Sequence, residues 1–95
     1  MKIALIQIDS IDNKDANAKK AKDYIAEAAA RNADIVCLAE DFLCKDDSVV
    51  PEDPDSSPYI AEFKELAKQL NINVVLGSMI LASPEGKPTN TSLII

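Results

Sequence analysis

Histidine and tryptophan are missing from this chain of 95 residues, which has only two cysteines and two glycines. Without histidine, a Ser-His-Asp triad and a Cys-His pair cannot be built, and two cysteines without metal-ligand spacing leave no zinc site. Cys37 and Cys44 could close a disulfide, although a cytoplasmic setting favours free thiols, and Cys37 reads as a small core hydrophobe. Gly77 and Gly86 are too few for a glycine-rich phosphate loop, so a nucleotide-binding or receiver-like reading fits poorly. No apolar run approaches the length of a membrane span, and the opening stretch reaches Gln7 and Asp9 too soon for a signal peptide. Basic residues are also scarce, 10 against 16 acidic, for a net charge of -6, so a duplex phosphate backbone would repel the chain. These shortages point to a cytoplasmic protein with no nucleic-acid partner, no membrane partner, no metal and no cofactor.

What is present is an ordinary globular balance, 47% hydrophobic and 27% charged, in one small domain. Residues 2–8 are nearly continuously apolar and β-branched, which predicts a strand covered on both faces. Gln7 within it must have its amide satisfied if it is buried. Residues 14–31 carry an alanine-rich helical stripe (Ala18, Ala21, Ile25, Ala28, Ala29) beside Tyr24. Asn13 is the predicted N-cap, Arg31 suits the negative end of the helix dipole, and Asn32 is the predicted stop. Residues 34–38 form a second strand. Residues 41–57 make a long connection carrying Asp41, Asp46, Asp47, Glu52, Asp53 and Asp55; these acids read as a solvated face, lacking the spacing and glycine of a calcium loop. Ser57-Pro58 starts a second helix with the stripe Ile60, Phe63, Leu66, Ala67, Leu70. Residues 72–76 are a third strand broken by Gly77-Ser78, and residues 79–82 and 91–95 pair around the turn 83–88. Strand, helix, strand, helix and three further strands imply an α/β layered fold with a mixed sheet.

Glu40 is the residue with the most chemistry. It stands at the C-terminal lip of the second strand, where a sheet can hold a carboxylate rigidly against a cleft and partial desolvation suits it to take a proton. The plainer alternative is a solvated acid that opens a loop.

Several segments together resemble the N-terminal portion of the carbon-nitrogen hydrolase (nitrilase and amidase) superfamily. They are Lys2-Ile3-Ala4-Leu5-Ile6-Gln7, Asn17, Ala33-Asp34-Ile35-Val36 before Glu40, Val74-Val75-Leu76-Gly77-Ser78, and Asn90-Thr91-Ser92-Leu93-Ile94-Ile95. The resemblance implies a four-layer αββα sandwich, of which these 95 residues form an incomplete half with a mixed sheet and two helices. It also implies hydrolysis of a non-peptide carbon-nitrogen bond in a small amide or nitrile, by a Glu-Lys-Cys triad in a protein that is usually a homo-oligomer. Glu40 matches the family's glutamate, the general base.

Two departures qualify the match. Ala39 replaces the proline common before the glutamate, and the segments bearing the family's lysine and nucleophilic cysteine have no counterpart in residues 1–95. Neither Cys37 nor Cys44 falls in the nucleophile's place. The last residues, Leu93-Ile94-Ile95, stop within an apolar strand, so the chain reads as truncated after Ile95. The alternative to an enzyme portion is a non-catalytic α/β module for binding or oligomerisation.

Overall fold

The computed structural model describes residues 1–44 and 50–95. Its elements are β1 (Ile3–Leu5), α1 (Lys14–Ala30), β2 (Ile35–Cys37), α2 (Pro58–Leu70), β3 (Asn73–Leu81) and β4 (Thr89–Ile94). They form one sheet in the order β1-β2-β3-β4, parallel except for β4, which runs antiparallel to β3. This is the expected α/β arrangement of a mixed sheet and two helices. One element differs: the predicted break at Gly77-Ser78 is a bulge inside a single strand. Leu76 faces Leu93 and Met79 faces Thr91, so β3 carries one residue more than β4 between those pairs. The burial pattern records the insertion. Val74 and Leu76 are buried before it, Met79 and Leu81 after it, so the inward-facing positions change parity across the bulge.

Local signals set the helix ends. Asn13 caps α1, its Oδ1 accepting the Ala16 N–H at 3.0 Å, and Ser57 caps α2, its Oγ accepting the Ile60 N–H at 3.3 Å ahead of Pro58. Arg31 and Asn71 are the C-caps, and Asn32 and Asn71 take left-handed backbone, φ 67° and 53°, which asparagine tolerates at a helix stop. Two right-handed crossovers advancing in one direction put both helices on the same face of the sheet. There Ala18, Ala21, Ile25 and Ala28 of α1 and Ile60, Phe63 and Ala67 of α2 join Val36, Val74 and Leu76 in one core. Lys22 and Glu62 pair across the helices at 3.5 Å, and Tyr59 Oη donates to Asp15 at 2.6 Å.

Among the described residues, no helix or second sheet covers the opposite face. Pairing places Ile3 beside Ile35, and Leu5, Cys37, Val75 and Ile94 in one row. Ile3, Leu5 and Ile94 are 55%, 81% and 75% exposed. The expectation that β1 is covered on both faces is therefore corrected, and Gln7 is exposed rather than a buried amide. Both cysteines are free thiols. Among the described residues no helix is long and apolar enough to cross a membrane.

The connection after β2 is more than a solvated acidic face. Phe42 and Leu43 are buried, and the Phe42 ring meets Phe63 edge-to-face at 5.5 Å. Glu52 bridges onto β3: its N–H donates to the Ile80 carbonyl at 3.0 Å and its carbonyl accepts the Ala82 N–H at 2.8 Å. Its carboxylate pairs with the Lys14 ammonium and accepts the Ser57 hydroxyl at 2.6 Å. Asp46 and Asp47 lie outside the described residues.

Two measurements follow from this packing. Phe63→Ala should cost about 3–5 kcal/mol in urea unfolding, because it empties a site whose neighbours are fixed by two elements. Leu66→Ala should cost clearly less, since Leu66 is only half-buried. Tyr59 is pushed up from 10.0 to about 12, chiefly by its hydrogen bond to Asp15 and then by burial. A raised pKa stabilises the protonated folded form, so this contribution is complete below pH 10 and disappears as pH rises towards about 12. The difference in melting temperature between the native chain and Tyr59→Phe should therefore shrink across that window. An unchanging difference would place the bond's stabilisation elsewhere.

Candidate active site

Sheet pairing carries the chain past the end of β2. Leu38 N–H donates to the Val75 carbonyl at 2.9 Å, and the backbone turns over Glu40 and Asp41 only after that bond. Asp41 occupies the left-handed region at φ 50°, a conformation that costs roughly 1–2 kcal/mol for a residue with a side chain and persists where surroundings hold it. Two hydroxyls hold it. The Asp41 N–H donates to Ser78 Oγ at 3.0 Å, and Ser10 Oγ donates to the Asp41 carbonyl at 3.3 Å. Gly77 passes directly beneath: a Cβ there would lie 2.0 Å from the Ala39 carbonyl oxygen, a distance that no side chain can adopt.

Glu40 itself is exposed, which corrects the expectation of a partly buried carboxylate. The turn that lifts it beyond the last sheet bond points it away from the helix-covered core. Asn90, on β4, places its amide Nδ2 3.5 Å from Glu40 Oε1, longer than an ordinary hydrogen bond. The three elements that converge on this turn are the β1–α1 loop through Ser10, β3 through Gly77 and Ser78, and β4 through Asn90. That convergence at the C-terminal ends of parallel strands is where α/β sheets build ligand sites.

Other candidates fall elsewhere. Cys37 lies within β2 between Leu5 and Val75. Cys44 lines a crevice of about 10 Å³ with Lys14, Asp41, Glu52 and Ser78, space for one water at most and none for a substrate. Among the described residues no group of three or more Cys, Asp and Glu is placed to hold a metal ion. Sequence reasoning missed Ser10 and noted Ser78 only as part of a strand break and a family-like segment, because a lone serine in a loop or bulge carries no periodicity. It noted Asn17 without a role. That amide is 2% exposed; Oδ1 accepts the Ile11 N–H at 3.0 Å, and Nδ2 donates to the Ile11 and Leu43 carbonyls at 2.6 Å each.

Known proteins share this frame. The deaminated glutathione amidase of Dictyostelium discoideum is 35% identical over 99% of the chain, which spans 36% of that protein. Saccharomyces cerevisiae Nit3, a member of branch 10 of the nitrilase superfamily, superposes over 100% of the chain with a TM-score of 0.87 at 27% identity; 39% of Nit3 is covered. The Caenorhabditis elegans NitFhit protein superposes over 98% of the chain with a TM-score of 0.81 at 28% identity, covering 24% of its own length. The two helices and four strands are thus one part of the nitrilase fold. The carbon-nitrogen hydrolase model matches residues 2–95, taking in the β2 lip, the bulge and the β4 edge that surround Glu40, and the chain belongs to the carbon-nitrogen hydrolase family.

Proposed function

We propose that the chain provides the general base of a Glu-Lys-Cys triad that hydrolyses a non-peptide carbon-nitrogen bond in a small amide or nitrile. One observation carries this reading. In a chain of this family, Glu40 stands in a turn fastened by neighbouring elements at the C-terminal ends of the parallel strands. The lysine and the nucleophilic cysteine come from polypeptide outside these 95 residues, as does a second sheet that covers the Ile3, Leu5 and Ile94 face to make the αββα sandwich. The assembled protein is a homo-oligomer.

In this mechanism the Glu40 carboxylate takes the thiol proton as the cysteine sulfur attacks the amide carbon. The lysine ammonium steadies the oxyanion that develops, most effectively once water is excluded. The C–N bond then breaks as Glu40 returns its proton to the departing nitrogen, and water, deprotonated by the same carboxylate, releases the acid from the acyl-enzyme. The similarity to an amidase favours an amide over a nitrile, and deaminated glutathione is the first compound to try. A non-catalytic binding or oligomerisation module is the second reading, favoured by the exposure of Glu40.

The test joins residues 1–95 to the C-terminal remainder of the Dictyostelium amidase and follows amine release from deaminated glutathione. The 95-residue chain alone should show no turnover. The joined protein should turn over, and Glu40→Gln should lower kcat by about 10²- to 10⁴-fold, since glutamine keeps the shape but cannot accept a proton. Its unfolding free energy should stay within about 0.5 kcal/mol, as for other exposed substitutions. Undiminished turnover in Glu40→Gln would place the base elsewhere and leave the module reading standing.

A further inference from the structure

The bulge in β3 has a consequence at the turn that follows the neighbouring strand β2. A regular strand would alternate from Leu76 inward, Gly77 outward, Ser78 inward. The extra residue breaks that alternation, so Met79 takes the inward place and Ser78 is left free of the core's demand for an apolar side chain. Its hydroxyl is instead brought within 3.0 Å of the Asp41 N–H. That N–H belongs to the peptide that begins at the Glu40 carbonyl, so the bond fixes the ψ angle of Glu40 as well as the φ of Asp41. Ser10 grips the far side of Asp41 at its carbonyl. The absent side chain of Gly77 lets β3 come close enough for this contact, since a Cβ there would meet Ala39 and Leu38 carbonyl oxygens at 2.0 and 2.4 Å.

We propose that Ser78 is a positioning residue for Glu40: its hydroxyl, delivered by the β3 bulge, accepts the Asp41 N–H and fixes the direction in which the base carboxylate leaves the sheet. This rests on the role of Glu40 given above. Glu40 is exposed, and among the described residues its carboxylate has one long contact, to Asn90, so its own backbone defines the side chain more firmly than any described neighbour. A base that must meet a thiol proton within hydrogen-bond reach depends on that direction, and a displacement near 1 Å can cost on the order of a hundredfold in rate.

The experiment compares Ser78→Thr with Ser78→Val in the joined protein. The two side chains fill the same space, and only threonine keeps the hydroxyl, so packing effects cancel between them. Ser78→Val should have a kcat about ten- to a hundredfold below that of Ser78→Thr. KM should be nearly equal in the two. Amide hydrogen exchange gives a second readout independent of turnover: Asp41 N–H should exchange faster in Ser78→Val while Leu38 N–H, bonded to Val75, keeps its protection. Equal kcat in the two variants, or an Asp41 amide that exchanges at the same rate in both, overturns the positioning role. If Glu40→Gln is inactive while Ser78→Val matches Ser78→Thr, this inference falls alone. If Glu40→Gln is fully active, the triad reading falls and takes this inference with it.

Discussion

The amide of Asn17 is the interaction on which the candidate-site end of the sheet depends. Among the described residues it is the one long polar side chain in the most deeply buried set, and its three hydrogen bonds satisfy its carbonyl and both its N–H groups. Two of the bonds close the β1–α1 loop at Ile11, and the third crosses to Leu43 in the connection after β2. Those two loops carry Ser10 on one side and Glu40 and Asp41 on the other. An unpaired amide at this depth would cost about 1–3 kcal/mol per orphaned group, so the loops cannot drift apart cheaply. Phe42 and Leu43 add apolar weight to the same junction, Phe42 by stacking edge-on against Phe63 of α2.

A second fastening sits farther along the connection. Lys14, at the start of α1, meets the Glu52 carboxylate and the Val50 carbonyl, and Glu52 in turn accepts from the Ser57 hydroxyl that caps α2. Backbone bonds from Glu52 to Ile80 and Ala82 tie this cluster to the second half of β3, beyond the bulge. The side chains of Lys14 and Glu52 are only 17% and 12% exposed, so their attraction is less screened than that of a surface pair. The first residue of one helix, the cap of the other and the far end of β3 therefore share one polar junction, and the connection between β2 and α2 is anchored at both ends.

Much of the framework was legible because its signals are local. Asn13, Asn32 and Ser57-Pro58 mark helix ends through atoms three or four residues away, and the stripes of α1 and α2 follow from a period of 3.6. What escaped depends on distant partners. The bulge at Gly77-Ser78 looks like a break because a period of two lapses there, and only pairing with β4 shows that the strand continues. Glu52 looks like one acid among many until Lys14, 38 positions earlier, is found beside it. For the candidate site, the position of Glu40 at the lip of β2 could be read from the apolar run before it. Its exposure could not, because that depends on what stands over the turn rather than on the strand beneath it.

The bare sheet face and the exposed glutamate have a common geometric origin. Helices on one face bury Val36, Val74 and Leu76 and leave the alternate residues Ile3, Leu5, Val75 and Ile94 pointing the other way. A row of apolar side chains next to an open β1 edge is a surface that soluble proteins normally cover. Glu40 emerges at the end of that same sheet, so a layer laid over the apolar row would also wall the turn and lower the dielectric around the carboxylate. Burial of the face and desolvation of Glu40 would then be one event. The division of labour is physical: the turn at Asp41 is held by hydroxyl bonds that need no second layer, whereas desolvation of the Glu40 carboxylate requires one.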